Sequence, residues 1–215
     1  MLTAQQFTNM VEAQDRLNKH LRPDWYDAGF AWSTAILSEC SELIDQVGWK
    51  WWKHTSPAPL TQIHLEAVDI WHFVLSHLIE CGPMTLSSAR ERIDREPDMW
   101  AIGEPLDKAQ AIRRAKMLAA TACMYPNEPL RVLPEFFSLM RSCRLSFDEL
   151  YQLYMGKSVL NLFRWNNGYL QGKYQKTWGD VEDNVYLETI LKGKPNMPFP
   201  QITTLLHQRY QEIAP

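Results

Sequence analysis

The segment from residue 60 to residue 81 constrains what this chain can fold into more than any other. Leu, Ile, Val, Trp and Phe recur on nearly every side of its 3.6-residue repeat, so a helix here has scarcely any solvent face and belongs at the buried centre of a bundle. Gly82-Pro83 stops it. Inside it stand Glu66 and Asp69, two carboxylates one turn apart, where the pattern demands burial.

The same periodicity runs through most of the chain, with very little strand-like alternation. Thr3 and Gln6 make a capping box for a first helix to about residue 21, and a second helix spans residues 31–47 after the Pro23 and Gly29 break. Ser146 and Glu149 cap a later helix to residue 164, and a last one follows Pro200. These elements predict an all-α fold, a helical bundle with a four-helix catalytic core. At 215 residues the chain suits a single domain, residues 1–215. Residues 83–134 are charged and punctuated by proline, and are read as a variable helical insertion or lid with a helix near 108–123.

Charge and cysteine usage exclude several classes. With 22 Lys+Arg against 25 Asp+Glu, the net charge of −3 fits neither a disordered polyanion nor a basic nucleic-acid coat, so no duplex partner is expected. Cys40, Cys81, Cys123 and Cys143 fall singly, which argues against a zinc ribbon or disulfide scaffold and favours a reducing cytoplasm. Polar residues at the N-terminus do not suit a signal peptide, and the longest charge-free apolar run, residues 70–79, is about half a membrane span. No membrane association is expected. No Gly-x-Gly-x-x-Gly or Walker-type Gly-Lys-Ser/Thr occurs, so any phosphate is handled by other means.

Glu39-x-x-Glu42 on the second predicted helix repeats the Glu66-x-x-Asp69 spacing, and each pair is able to grip one cation. Glu39 borders the apolar stripe Trp32, Ile36, Cys40, Leu43, Val47, so both pairs are aimed at one interior. A lone Glu-x-x-Glu is usually a solvated surface pair. Two such pairs on adjacent buried helices repel one another and raise their own pKa values unless a hard cation such as Mg²⁺ neutralises them.

The first helix departs from pattern too, with Gln14 and Asn18 in the stripe of Phe7, Met10, Val11, Leu17 and Leu21. A buried amide needs partners, which a nucleobase edge or a backbone carbonyl would supply. By flipping, such amides offer either a donor or an acceptor to a base edge, and the sequence leaves both open. On the late helix the stripe Leu150, Leu153, Tyr154 continues as Lys157, Asn161, Arg164, so an apolar face becomes a cationic one. Beyond it, Tyr169, Gly172-Lys173-Tyr174 and Lys176 form a glycine-bearing loop suited to a polyphosphate. Residues 156–179 contain no Asp or Glu, so the near-neutral total conceals a cationic segment in an otherwise acidic chain. Trp49-Lys50-Trp51-Trp52-Lys53 is too rich in rings for a linker and serves either packing or stacking. His72, one turn beyond Asp69, reads a base, tunes a ligand or sits as a hydrogen-bonded core histidine, while His77 reads as core.

Taken in order, Gln14-Asp15-Arg16-Leu17-Asn18, Glu39-Cys40-Ser41-Glu42-Leu43-Ile44-Asp45, residues 49–53, Glu66-Ala67-Val68-Asp69-Ile70-Trp71-His72-Phe73 and Gly156-Lys157-Ser158-Val159-Leu160-Asn161-Leu162-Phe163-Arg164 resemble the dimeric, all-α dUTP diphosphatase family. Asn166-Asn167-Gly168-Tyr169, Gly172-Lys173-Tyr174-Gln175-Lys176-Thr177-Trp178 and Glu182-Asp183-Asn184 extend the match, with a local departure at Gly179-Asp180-Val181. The resemblance implies a homodimer that hydrolyses dUTP, and dUDP, to dUMP with release of pyrophosphate or phosphate. It implies more than one Mg²⁺ ion per site, replaceable by Mn²⁺, on Glu39, Glu42, Glu66 and Asp69, with Glu39 activating a water for attack on the β-phosphorus. By the same resemblance Lys157, Asn161, Arg164, Tyr169, Lys176 and Asn184 hold phosphates, while Gln14, Asn18, Trp51, His72 and Phe73 surround uracil and deoxyribose.

Relatives in the wider all-α nucleotide pyrophosphohydrolase superfamily use the same carboxylate core on other bases, so a dCTP or mixed pyrimidine pyrophosphatase is the alternative enzyme. A non-catalytic nucleotide-sensing or regulatory dimer would be expected to have lost a ligand, and none of the four carboxylates is missing. A purely structural bundle would place apolar residues at Gln14, Asn18, Lys157 and Arg164.

Overall fold

The computed structural model describes residues 2–53, 56–96, 106–192, 194 and 197–213. Helix α1 (Ala4–Leu21) begins with the expected capping box, in which the Thr3 hydroxyl accepts from the Gln6 amide and the Gln6 side chain accepts from the Thr3 N–H. Helix α2 (Trp32–Val47) ends at Gly48, whose φ of +75° is left-handed. A Cβ at Gly48 would lie 3.1 Å from the Pro57 backbone, so only glycine lets the chain return there, and Ala58 N–H then donates to Gln46 O at 2.9 Å.

Helix α3 (Leu60–Glu80) is the buried rod that its sequence requires. Between residues 63 and 79 only Glu66, Asp69 and Phe73 escape full burial, and their spacing puts them on one face. Helices α4 (Pro83–Arg95), α5 (Lys108–Met124) and α6 (Val132–Ser142) follow. Helix α7 (Phe147–Asn166) opens on a second capping box, Ser146 with Glu149. A two-residue hairpin, β1 (Thr177–Trp178) with β2 (Val181–Glu182), turns through Gly179 into α8 (Asp183–Leu191). The last helix, α9 (Phe199–Ile213), starts just before Pro200 rather than after it, with proline accommodated in the first turn.

The fold is all-α, and its centre is the bundle of α1, α2, α3 and α7: α3 packs on the other three, and α1 also packs on α7. Helix α5 packs on α2 with a face of Ala111, Ala115, Leu118, Ala119 and Ala122, in which the four alanines allow close approach. These residues, with Ala89 and Ile93 of α4, join the same apolar cluster as Ile36, Leu43 and Val68. A second cluster gathers Leu160 and Phe163 of α7 with Tyr174, Trp178, Leu187, Ile202 and Leu206. Gly156 explains how α8 reaches α7, because a Cβ there would meet Leu191 Cδ1 at 2.6 Å. The start of α8 lies against the cationic face of α7, where Asp183 pairs with Arg164 at 2.7 Å. Among the described residues no helix is long and apolar enough to cross a membrane.

Candidate active site

The exposed edge of α3 faces α2, and there Glu39, Glu42 and Glu66 each present an oxygen, all within 4.8 Å of one another. Burial, followed by the charges of Asp69, Glu42 and Glu66, pushes the Glu39 carboxyl up to about 8. Burial and then Asp69 raise Glu66 to about 7, although Lys157 and a 3.3 Å hydrogen bond from Gln46 oppose the shift. Both acids therefore hold protons near neutral pH. A donor set made only of closely spaced carboxylate oxygens, stabilised by protons in place of positive charge, fits a hard divalent cation such as Mg²⁺, and Glu39, Glu42 and Glu66 are the residues that could hold it.

Asp69 is oriented differently. Its Oδ2 is 2.8 Å from Lys157 Nζ, and the lysine side chain is only 3% exposed. Three of the four predicted carboxylates thus converge, while the fourth is bound by the first cation of the α7 stripe. Lys157 also donates to Asn184 Oδ1 at 3.0 Å, and Arg164 Nη2 donates to the same oxygen at 3.2 Å. Arg164 Nη1 reaches Asn161 Oδ1 at 3.4 Å. The structure therefore brings Lys157, Asn161, Arg164 and Asn184 into one polar wall adjoining the carboxylates. Tyr169 and Lys176 pair with each other on the following loop, the ammonium 5.4 Å from the ring centroid.

The amides of α1 lie at the other end of this edge and form a hydrogen-bond chain of fixed polarity. The Ser76 hydroxyl donates its only proton to His72 O at 2.8 Å, so Ser76 accepts from Asn18 Nδ2 at 3.0 Å. Asn18 Oδ1 consequently accepts from Gln14 Nε2 at 2.9 Å, and Gln14 Oε1 accepts from Tyr154 O–H at 2.8 Å. His72 Nδ1, 2.7 Å from the same Gln14 oxygen, must carry the hydrogen. Burial holds the His72 pKa down to about 4, so the ring is neutral and Nε2 is a bare acceptor, buried without a partner among the described residues. The freedom to flip that the sequence leaves to Gln14 and Asn18 is thus removed by Ser76.

Of the predicted aromatics, Phe73 is half-buried on the same α3 face and lies 6.4 Å from Trp32, ring to ring. Trp51 stands in the turn after α2, 87% exposed, edge-on to Trp52. The sequence reading gave Ser76 and Asp183 no role, and took Tyr154 only as part of the α7 stripe and Tyr174 only as part of the phosphate loop. Ser76 and Asp183 carried faint signals: Ser76 one turn from His72, and Asp183 the acid next to Asn184. Their bonds, however, join segments distant in sequence.

A family model described as dUTPase matches residues 6–169, and the chain belongs to that family. Among curated proteins none matches the chain. The matched span contains the carboxylates, the amide chain, Lys157, Asn161 and Arg164, and ends before Asp183 and Asn184.

The raised carboxyls link metal binding to protons. Folding lifts Glu39 and Glu66 from an ordinary carboxylate value to about 8 and about 7, so across that window the native chain holds protons the unfolded chain has released. Their contribution to stability is complete only below the ordinary carboxylate value, declines above it, and is gone once pH has risen through about 7 and about 8. Buried His64, His72 and His77, with lowered pKa values, act in the opposite sense at lower pH. The difference made by added Mg²⁺ isolates the carboxylates: in a thermal melt its stabilisation should grow from mildly acidic to mildly alkaline pH, whereas a pH-independent shift would show that no such protons are displaced.

Proposed function

We propose that this member of the dUTPase family hydrolyses dUTP, and dUDP, to dUMP with release of pyrophosphate or phosphate, in a Mg²⁺-dependent reaction that uses a glutamate as general base. One observation carries the reading: an under-neutralised carboxylate cluster is joined directly to a cationic wall through the Asp69–Lys157 pair, 2.8 Å apart. A polyphosphate carrying a divalent cation complements both halves at once. When bound, Mg²⁺ supplies Lewis-acid polarisation of phosphate oxygens and lowers the pKa of water.

The chain's own residues do the rest. Glu39 holds a proton readily near neutral pH, as a base for an attacking water should. Lys157 and Arg164, presented with Asn161 and Asn184, orient the phosphates and stabilise charge developing on the leaving group, with Tyr169 and Lys176 approaching from the loop. Phe73 and the aromatic turn with Trp51 offer surfaces for sugar and base. A homodimer, with more than one Mg²⁺ or Mn²⁺ ion per site and a cytoplasmic location, belongs to the same reading, as does a single domain in which residues 83–134 form a variable insertion.

The hydrogen-bond polarity of the amide chain favours uracil. Gln14 and Asn18 each retain a spare N–H, both amide oxygens are already accepting, and His72 Nε2 awaits a donor. Donors suit the carbonyl oxygens of uracil and the free acceptor suits its N3–H or a sugar hydroxyl, whereas a cytosine amino group placed against either amide nitrogen would meet N–H against N–H.

With Mg²⁺ and a panel of deoxy- and ribonucleoside di- and triphosphates, dUTP should give dUMP and pyrophosphate, and Glu39→Gln and Glu66→Gln should each be slower by at least ~10²-fold. Faster turnover of dCTP, or unchanged rates in both variants, would overturn the base assignment or the mechanism respectively. Ser76→Ala frees the amides to flip, so the ratio of dUTP to dCTP turnover should fall about 10-fold, the scale of one polar mismatch; an unaltered ratio would remove Ser76 from specificity.

A further inference from the structure

Asp183 is completely buried, yet its carboxylate meets no substrate-facing group except one. Its two oxygens accept from Arg164 Nε at 2.8 Å and Arg164 Nη2 at 2.7 Å, the side-on fork that fixes a guanidinium in both position and plane. A third bond comes from the Tyr174 hydroxyl, 2.8 Å from Oδ2. Burial, with the Asp183 charge beside it, holds the Tyr174 hydroxyl above the ordinary phenol range, so it remains a donor. The Tyr174 ring is in turn stacked on Tyr210 of α9, with centroids 5.3 Å apart and planes 22° apart, and is braced edge-on by Phe163. The β1–β2 hairpin makes this possible: it returns the chain so that Asp183 N–H donates to Lys176 O at 2.8 Å, and it delivers the carboxylate at the first turn of α8, where a negative charge is favoured.

We propose that Asp183 and Tyr174, clamped by Tyr210 of the C-terminal helix, are positioning residues for the phosphate-binding Arg164. The inference rests on the reading of Arg164 given above. All three lie beyond the span that matches the family model. The side-on pair occupies Nε and one Nη2 hydrogen, leaving the second Nη2 hydrogen to Asn184, which Lys157 also reaches, and Nη1 to Asn161. A guanidinium held on one edge presents the other without first losing its own rotamer freedom, so phosphate affinity depends on residues that never touch phosphate. The same clamp reaches the loop, since the Tyr169 ring sits 6.2 Å from that of Tyr174.

The test is calorimetric titration of the full chain with Mg²⁺ alone and then with inorganic pyrophosphate in the presence of Mg²⁺, which needs no turnover. Asp183→Asn should weaken pyrophosphate binding about 10-fold or more and Tyr174→Phe about 5-fold, the effects of losing a charged fork and a single hydroxyl bond. Tyr210→Ala should behave like Tyr174→Phe, while Tyr210→Phe restores the ring and the affinity. Mg²⁺ binding in the absence of pyrophosphate should be unchanged in all of them, which a general loss of structure would not permit, and Glu182→Gln is the neutral neighbour. Arg164→Gln separates the two levels. If it retains full pyrophosphate affinity, the reading of the phosphate wall fails and the positioning role fails with it. If it loses affinity while Tyr174→Phe and Asp183→Asn keep theirs, the positioning role alone is overturned.

Discussion

The ion pair between Asp69 and Lys157 is where the two halves of the molecule's chemistry meet. Glu39, Glu42 and Glu66 crowd their oxygens within 4.8 Å, and the acids among them with raised pKa values show that burial and mutual repulsion outweigh solvation. Lys157, nearly sealed from solvent, supplies the nearest positive charge and lowers both Glu39 and Glu66, but it reaches only Asp69 directly. Partial compensation of this kind is costly in a folded protein. On the function proposed above, a cation relieves it and frees the ammonium for an anion, which would couple metal and phosphate through one side chain.

The helices are arranged to sustain that tension. A rod such as α3 can carry acids at its centre only if the rest of its surface is buried, and α1, α2 and α7 provide that cover. Helix α3 packs on all three, which sets its half-buried edge beside the amides of α1 and the cations of α7. The second cluster, built on Phe163, Tyr174, Trp178 and α9, does for Arg164 what the main core does for the acids.

Periodicity and capping made most of this fold legible: both capping boxes, the buried rod and the all-α class follow from the residues alone. Helix α8 and the hairpin were not anticipated, since two strands of two residues carry no alternation to read. At the site, Glu66, Lys157 and Gln14 were visible because each interrupts an apolar pattern, and Glu39 because it borders an apolar stripe and repeats the paired spacing. Invisible were the directions of bonds. The polarity of the amide chain is set by Ser76 on a different helix, and the orientation of Arg164 by an acid whose side chain arrives only after the hairpin has turned. Nor does spacing reveal that Asp69, identical in pattern to its partners, is claimed by a lysine. Trp51, in a ring-rich run readable as packing, stands instead in solvent.

The shared lysine gives the most direct test. Lys157→Met keeps most of the length of the side chain and removes its charge, and Mg²⁺ binding to the full chain can be followed by calorimetry with and without pyrophosphate. If Lys157 stands in for metal at Asp69, the variant should bind Mg²⁺ alone more tightly than the parent does, while pyrophosphate should no longer strengthen that binding to the parent's extent. Equal or weaker binding of Mg²⁺ alone, with the pyrophosphate effect intact, would contradict the account.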